Sequence, residues 1–166
     1  MQRPRIVTRP VEAYFGVRRA VTMRTLGAHA DRIPGLIADL AAAGHPPTGA
    51  PFLRYLEIDM ERELLVEAGV PVAEAGSRGG LPEDVRAGTL PAGRYASALF
   101  VGAPDSLLAA VAELLRWAEA EGLRWDREAA GSSERWGCRL EVYHTDPRVE
   151  PDPTRWETEL LFRLAD

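Results

Sequence analysis

Arg139–Asp166, RLEVYHTDPRVEPDPTRWETELLFRLAD, decides the fold. Two runs of period-two alternation flank a Pro- and Asp-rich turn, which predicts a pair of strands with their side chains sorted onto two faces. On the first run Leu140 and Val142 point one way, and Glu141 and Tyr143 the other. On the second, Trp156, Leu160, Phe162 and Leu164 share a face, while Glu157, Glu159, Leu161 and Arg163 share the opposite one. One side therefore asks for a hydrophobic core. The other sets carboxylates beside a phenol, a combination suited to a pocket for a cationic or hydroxylated apolar ligand, because the carboxylate supplies charge and the ring supplies area.

Upstream of this pair, PDSLLAAVAELLRWAEAEG carries Leu107, Leu108, Val111, Leu114, Leu115 and Ala118 at helical spacing and ends at Gly122. AGTLPAGRYASALFVG before it reads as one or two strands broken at Pro91 and Gly93, and Arg127–Ser133 after it reads as a loop. The first half repeats the order. Tyr14–Thr25 is a strand with a bend or bulge expected near Arg19, and ADRIPGLIADLAAAG is an amphipathic helix with Asp31 as N-cap and Gly44 as terminator. HPPTGAP is a loop, and PFLRYLEID and RELLVEAGVPV are strands joined at Asp59–Glu61. Gly27 and Gly102 precede the two helices and Gly44 and Gly122 follow them. AEAGSRGGLPEDV is the joint between the halves. The expectation is an α+β fold of duplicated strand-helix-strand-strand units, about 14–73 and 85–166, with antiparallel sheets, one main helix per half, and a cleft between them.

Composition narrows the chemistry. The 166 residues, 46% hydrophobic and 27% charged, suit one globular domain. No apolar run is long enough to span a bilayer and no signal peptide is evident, so a cytoplasmic location is expected. Cys138 is the single cysteine, which excludes an internal disulfide. All 20 basic residues are arginine, so P-loop lysines, Schiff-base lysines and Ser-Lys dyads are ruled out. A net charge of −5 with scattered arginines argues against direct nucleic-acid binding. His29, His45 and His144 have no metal-ligand spacing, and no cofactor or metal is expected. No GxSxG elbow occurs around Ser132 and Ser133.

PAGRYA at 91–96, GVPV at 69–72, PFLRYLEID, LEVYHTDP and RWETELLFRL, in this order and spacing, resemble the GyrI-like small-molecule-binding domain. The resemblance runs from about Tyr14 onward. The same domain forms the effector-binding half of multidrug-responsive transcription regulators of the BmrR and Rob types. What it implies here is a pocket between the pseudo-repeats in which Glu141 occupies the place of the family's central glutamate. Some standalone members resemble hydrolases of electrophilic natural products, and others inhibit DNA gyrase. The sequence has no room for the helix-turn-helix domain of the regulators, so direct transcriptional regulation is not expected of it.

From the residues alone, Glu141 is either a solvated strand residue or a pocket carboxylate, and the resemblance favours the pocket. Enclosed by aromatic walls, it would either hold a lipophilic cation or, with a raised pKa, serve as a general acid or base. Tyr143 shares its face and either binds ligand or caps the sheet. Tyr55 faces the same cleft. Trp117 reads as core or interface, Trp136 as a border of the cleft, and Trp156 as structure. Glu159 either pairs with Glu141 or bridges to Arg139 or Arg163. The leading expectation is binding of an aromatic, cationic or electrophilic small molecule through Glu141, Tyr143, Tyr55, Trp136, Glu159 and Trp117. The alternatives are hydrolysis with Glu141 as general base supported by Tyr143, and a protein-interaction role such as gyrase inhibition.

Overall fold

The alternation of the sequence is realised in ten strands, with three α-helices between them. A computed structural model describes all 166 residues. The elements are β1 (Arg5–Arg9), β2 (Glu12–Val21), α1 (Leu26–Ala30), α2 (Ile33–Ala42), β3 (Phe52–Ile58), β4 (Leu64–Pro71), β5 (Val85–Leu90), β6 (Gly93–Val101), α3 (Leu107–Ala120), β7 (Arg127–Ala130), β8 (Ser133–Trp136), β9 (Arg139–Tyr143) and β10 (Glu157–Arg163). The strands form one antiparallel sheet in the order β1-β6-β10-β9-β3-β4-β2-β5, with the β7–β8 hairpin attached to the far end of β3.

That order has an internal two-fold. The run β6-β10-β9 meets β3-β4-β2 at a β3–β9 seam, where Phe52, Leu53 and Arg54 pair with Val142, Glu141 and Leu140. Both helices lie on one face of the sheet. The α2 side buries Ile33, Leu36 and Leu40 against residues that include Phe15, Val17, Leu53, Tyr55, Val66 and Val70. The α3 side buries Ala110, Val111 and Leu114 against Ala96, Ala98, Leu160 and Phe162. Each of the larger side chains contributes roughly 1.5–3 kcal/mol by leaving water. On the opposite face Tyr14, Phe52, Leu90, Tyr95, Cys138, Leu140 and Leu161 form a further core.

The helices stop in the same way. Gly44 has φ +82° and its N–H reaches the Ala41 carbonyl, while the next N–H, of His45, bonds Leu40 at 2.8 Å. Gly122 has φ +69° and the equivalent bonds run to Glu119 and from Leu123 to Ala118 at 2.9 Å. Only glycine adopts this left-handed cap without steric cost.

Several sequence expectations are corrected. Asp31 is not an N-cap: it closes α1, with helical φ −65° and its N–H bound to Gly27, and Arg32 precedes α2 without a side-chain cap. Gly27 accordingly lies inside α1 rather than ahead of a helix. No bulge marks Arg19, which pairs with Val66 in unbroken register; the irregularity falls in β3, between Tyr55 and Glu57. Leu108 is exposed on α3 and Ala110 takes its place in the core. Arg127–Ser133 is mostly hairpin, turned at Gly131 with φ +67°, the conformation a two-residue turn beginning with glycine requires. Strand β1 was not anticipated.

Candidate functional site

Residues paired directly across antiparallel strands point to the same face. Glu141 is paired with Leu53 on one side and with Leu160 on the other. Both leucines are buried, one in the α2-side core and one in the α3-side core. The carboxylate therefore stands on the floor of the sheet between the two helical cores. This corrects the expectation that Glu141 and Tyr143 share the side opposite the hydrophobic core. It also corrects the grouping of Leu140 and Val142 with Leu160 and Phe162: Leu140 is opposite Leu161 and Val142 opposite Glu159. Alternation gives the two sides of one strand; the register, which aligns one strand's sides with its neighbour's, depends on the long connection between them.

Phenols converge on Glu141. The Tyr143 hydroxyl donates to Glu141 Oε2 at 2.9 Å, and the Tyr55 hydroxyl is directed at the same carboxylate. Tyr55 lies two residues beyond Leu53 and Tyr143 two residues beyond Glu141, so the two tyrosines are near-equivalent about the seam pair. Burial among the cores pushes the Glu141 pKa up, against hydrogen bonds from both phenols and the field of Arg139, which pull it down. Burial and the Glu141 charge raise both tyrosines well above their ordinary value, which keeps them as neutral donors. A carboxyl group whose pKa burial raises, set beside two phenols, can accept from a ligand donor, pair with a ligand cation, or move a proton.

Arg139, two residues before Glu141, completes this floor. Its guanidinium carbon lies 4.5 Å from the Phe162 ring centre, 4.8 Å from that of Trp136 and 5.9 Å from that of Tyr55. Phe162 meets Trp125 and Trp136 edge-on, and the two indoles are tilted against each other, forming an aromatic wall on the α3 side. Trp136 is buried, with its indole N–H donated to Glu134 at 3.2 Å. In sequence Arg139 has only the signature of a salt-bridge partner, and nothing there marks Phe162 and Trp125 as part of the site. The available signal for Arg139 was its period-two offset from Glu141.

The remaining candidates lie elsewhere. Glu159 is on the opposite face, where it accepts from Ser97 Oγ at 2.8 Å and contacts His144 Nε2 at 2.9 Å. It therefore neither pairs with Glu141 nor bridges to Arg139 or Arg163. These residues border a shallow recess of about 350 Å³ together with Arg3 and Arg5. Trp117 is half-buried on α3 and packs against the α3-side core. Trp156 donates its indole N–H to the Glu150 carbonyl at 2.7 Å. Arg163 pairs with Asp126 at 2.7 Å.

The whole chain is similar in fold to solved proteins at low identity. The EcmrR C-terminal domain superposes with a TM-score of 0.77 at 18% identity, over 99% of this chain and 98% of that one. In the EcmrR–DNA complex the TM-score is 0.78 at 19% identity, and the match spans 57% of the EcmrR chain, so this sequence corresponds to only part of that regulator. A hydrolase from Listeria innocua gives 0.64 at 16% identity, over 99% and 92% of the two chains. SAV2435 bound to tetraphenylphosphonium gives 0.68 at 11% identity, over 99% and 94%. No curated protein sequence matches the chain. Residues 2–165 match the family described as the GyrI-like small molecule binding domain.

Proposed function

Because the chain belongs to the GyrI-like small molecule binding domain family, we propose that its ligand site is the floor around Glu141, and that the ligand is an aromatic small molecule. The observation that carries this reading is a carboxyl group with two phenols directed at it, fixed between Leu53 and Leu160 of two separate cores. A polar group in that position has no packing role, and its burial costs stability unless it is used. Apolar walls with a few convergent polar groups are the usual make-up of a small-molecule site. A similar fold that binds tetraphenylphosphonium, a lipophilic aromatic ion, fits the same class of ligand.

The test is a thermal-shift panel of charged and neutral aromatic compounds against the wild type and Glu141→Gln. Compounds that use the carboxyl group stabilise the wild type and lose most of that effect in the variant. Equal shifts in both proteins would place the site elsewhere, and no shift from any compound would direct the search to a protein partner.

A second reading, hydrolysis of an electrophilic ligand, draws on the same raised carboxyl pKa and on the likeness to a protein described as a hydrolase. Glu141 would take a proton from the attacking water while Tyr143 holds the carboxylate in place. Mass analysis of each stabilising compound after incubation separates the two: an added water mass, lost with Glu141→Gln, marks turnover, and unchanged compound marks binding alone.

A further inference from the structure

Arg139 is the unusual member of the floor. Its Nε is closed off from solvent and has no hydrogen-bond partner. None of its guanidinium nitrogens makes a hydrogen bond to the protein, and no carboxylate oxygen lies within 4.0 Å of it. The other arginine with a closed-off Nε, Arg54, uses its terminal nitrogens in three bonds. The carboxylates nearest Arg139 are otherwise engaged: Glu141 by the two tyrosines, Glu134 by Trp136 and by Arg127 at 3.5 Å. Arg127 itself lies over the Trp136 ring at 5.4 Å, adding a second positive charge to that wall. A guanidinium presents five donors in a fork that fits a carboxylate or another flat anion. Left half-buried and unpaired, it carries a desolvation cost that an arriving anion would relieve.

We propose that Arg139 sets the charge class of the ligand, and that the Glu141 floor selects aromatic anions, such as aromatic carboxylates, over aromatic cations. This rests on the reading of that floor as the ligand site. The aromatic faces of Phe162, Trp136 and Tyr55, which elsewhere would receive a cationic ligand, already hold a cation here. The charge count agrees. With Glu141 ionised, Arg139, Arg127, Glu141 and Glu134 sum to zero, and with Glu141 protonated they sum to +1. In neither state does the floor present net negative charge to a cation. An aromatic acid would place its carboxylate on the guanidinium, which the buried rings of Phe162, Trp136 and Tyr55 hold in position from beneath. Glu141 in its protonated form would donate the remaining hydrogen bond.

Two probe pairs of matched shape test this: tetraphenylborate against tetraphenylphosphonium, and naphthalene-2-carboxylate against naphthalene-2-carboxamide. Affinities are read by tryptophan quenching and by calorimetry. In the wild type each anion is expected to bind more tightly than its partner, and naphthalene-2-carboxylate, which can accept from the guanidinium, roughly tenfold or more, the size of one charge-assisted hydrogen bond. In Arg139→Met that preference is lost or reversed, and in Arg139→Lys its sign is kept. Circular dichroism identifies any variant that fails to fold; if Arg139→Met does, the Arg139→Lys and wild-type ratios carry the decision. Tighter binding of phosphonium than borate by the wild type, or an unchanged ratio in Arg139→Met, overturns the charge assignment while leaving the site intact. Binding that Glu141→Gln and Arg139→Met both leave untouched overturns the site as well, as does failure of all four probes to bind the wild type.

Discussion

At the scale of one residue, Glu141 is a stability cost with a pH signature. Its pKa is raised in the fold because burial penalises the charged form more than the two phenols and Arg139 favour it. A carboxyl with a raised native pKa binds its proton more tightly folded than unfolded. Below the unfolded value of about 4.3 both states are protonated and the fold keeps this contribution in full; as pH rises through the native pKa it is lost. Glutamine mimics the protonated form at every pH. Glu141→Gln is therefore expected to match the wild type near pH 4 and to exceed it in melting temperature at pH 8, with the gap opening as pH rises. A gap constant across pH would mean that Glu141 titrates as it does in the unfolded chain. A stabilising loss of one carboxylate is what a residue kept for ligand rather than for the fold should give.

At the scale of the element, α1 depends on a single buried side chain. Five residues are too few to hold a helix alone, and α1 is docked by His29, buried, with Nε2 bonded to the Val66 carbonyl of β4 at 3.0 Å. That bond fixes a proton on Nε2, and burial of the ring disfavours a second proton on Nδ1, which has no partner. Burial lowers the His29 pKa, and the nearby Arg19 and Arg32 lower it further, against the pull of the Val66 carbonyl. A histidine depressed in this way contributes stability above its unfolded pKa of about 6.5, and that contribution is lost as pH falls through the native value. After correction for intrinsic rates, amide exchange in Leu26–Ala30 is expected to accelerate between pH 7.5 and 5.5 in the wild type and to stay level in His29→Gln. Equal pH response in both would assign the effect to another group. The elements also divide by how far local sequence specifies them. The α3 stripe and the Gly44 and Gly122 stops are local patterns, and the sequence declares them. The β7–β8 hairpin is not declared, because REAA and SERW have little strand propensity and pair only where β3 offers Glu57 and Ile58 as an edge. Glu141 and Tyr143 were legible as a pair sharing a side; the side itself was fixed by register with Leu160 and Leu53, which no local pattern encodes.

At the scale of the whole molecule, one seam holds two halves together and carries the proposed ligand floor on one face. The direct pairing there is only Phe52, Leu53 and Arg54 against Val142, Glu141 and Leu140. Arg54 reinforces it from the opposite face to Glu141. Its terminal nitrogens bond Tyr14 Oη at 2.9 Å, the Thr89 carbonyl at 3.1 Å and the Gly137 carbonyl at 3.0 Å, tying β3 to β2, to β5 and to the β8–β9 junction of the other half. Tyr14 in turn hydrogen-bonds the buried Glu67, which also pairs with Arg18 at 3.5 Å. The two faces of the seam thus differ, with the fastening of Arg54 behind and the proposed ligand floor in front. Arg54→Met keeps the aliphatic stem and removes the fastening, at a cost of about 2–3 kcal/mol, the range of charge-assisted bonds at a part-buried site. For a chain of this length that is a fall of roughly 4–12 °C in melting temperature. If the seam couples the halves, tryptophan fluorescence, which reports the α3 side, and amide exchange in β2 and β4, which reports the α2 side, should lose stability together. The borate-to-phosphonium affinity ratio should stay at its wild-type value, because Arg139 and Glu141 lie on the other face. Loss confined to one half would show that each half holds itself and that Arg54 serves only its own. A changed ratio would show that the faces are not independent, and that a ligand bound at Glu141 is felt at the fastening behind it.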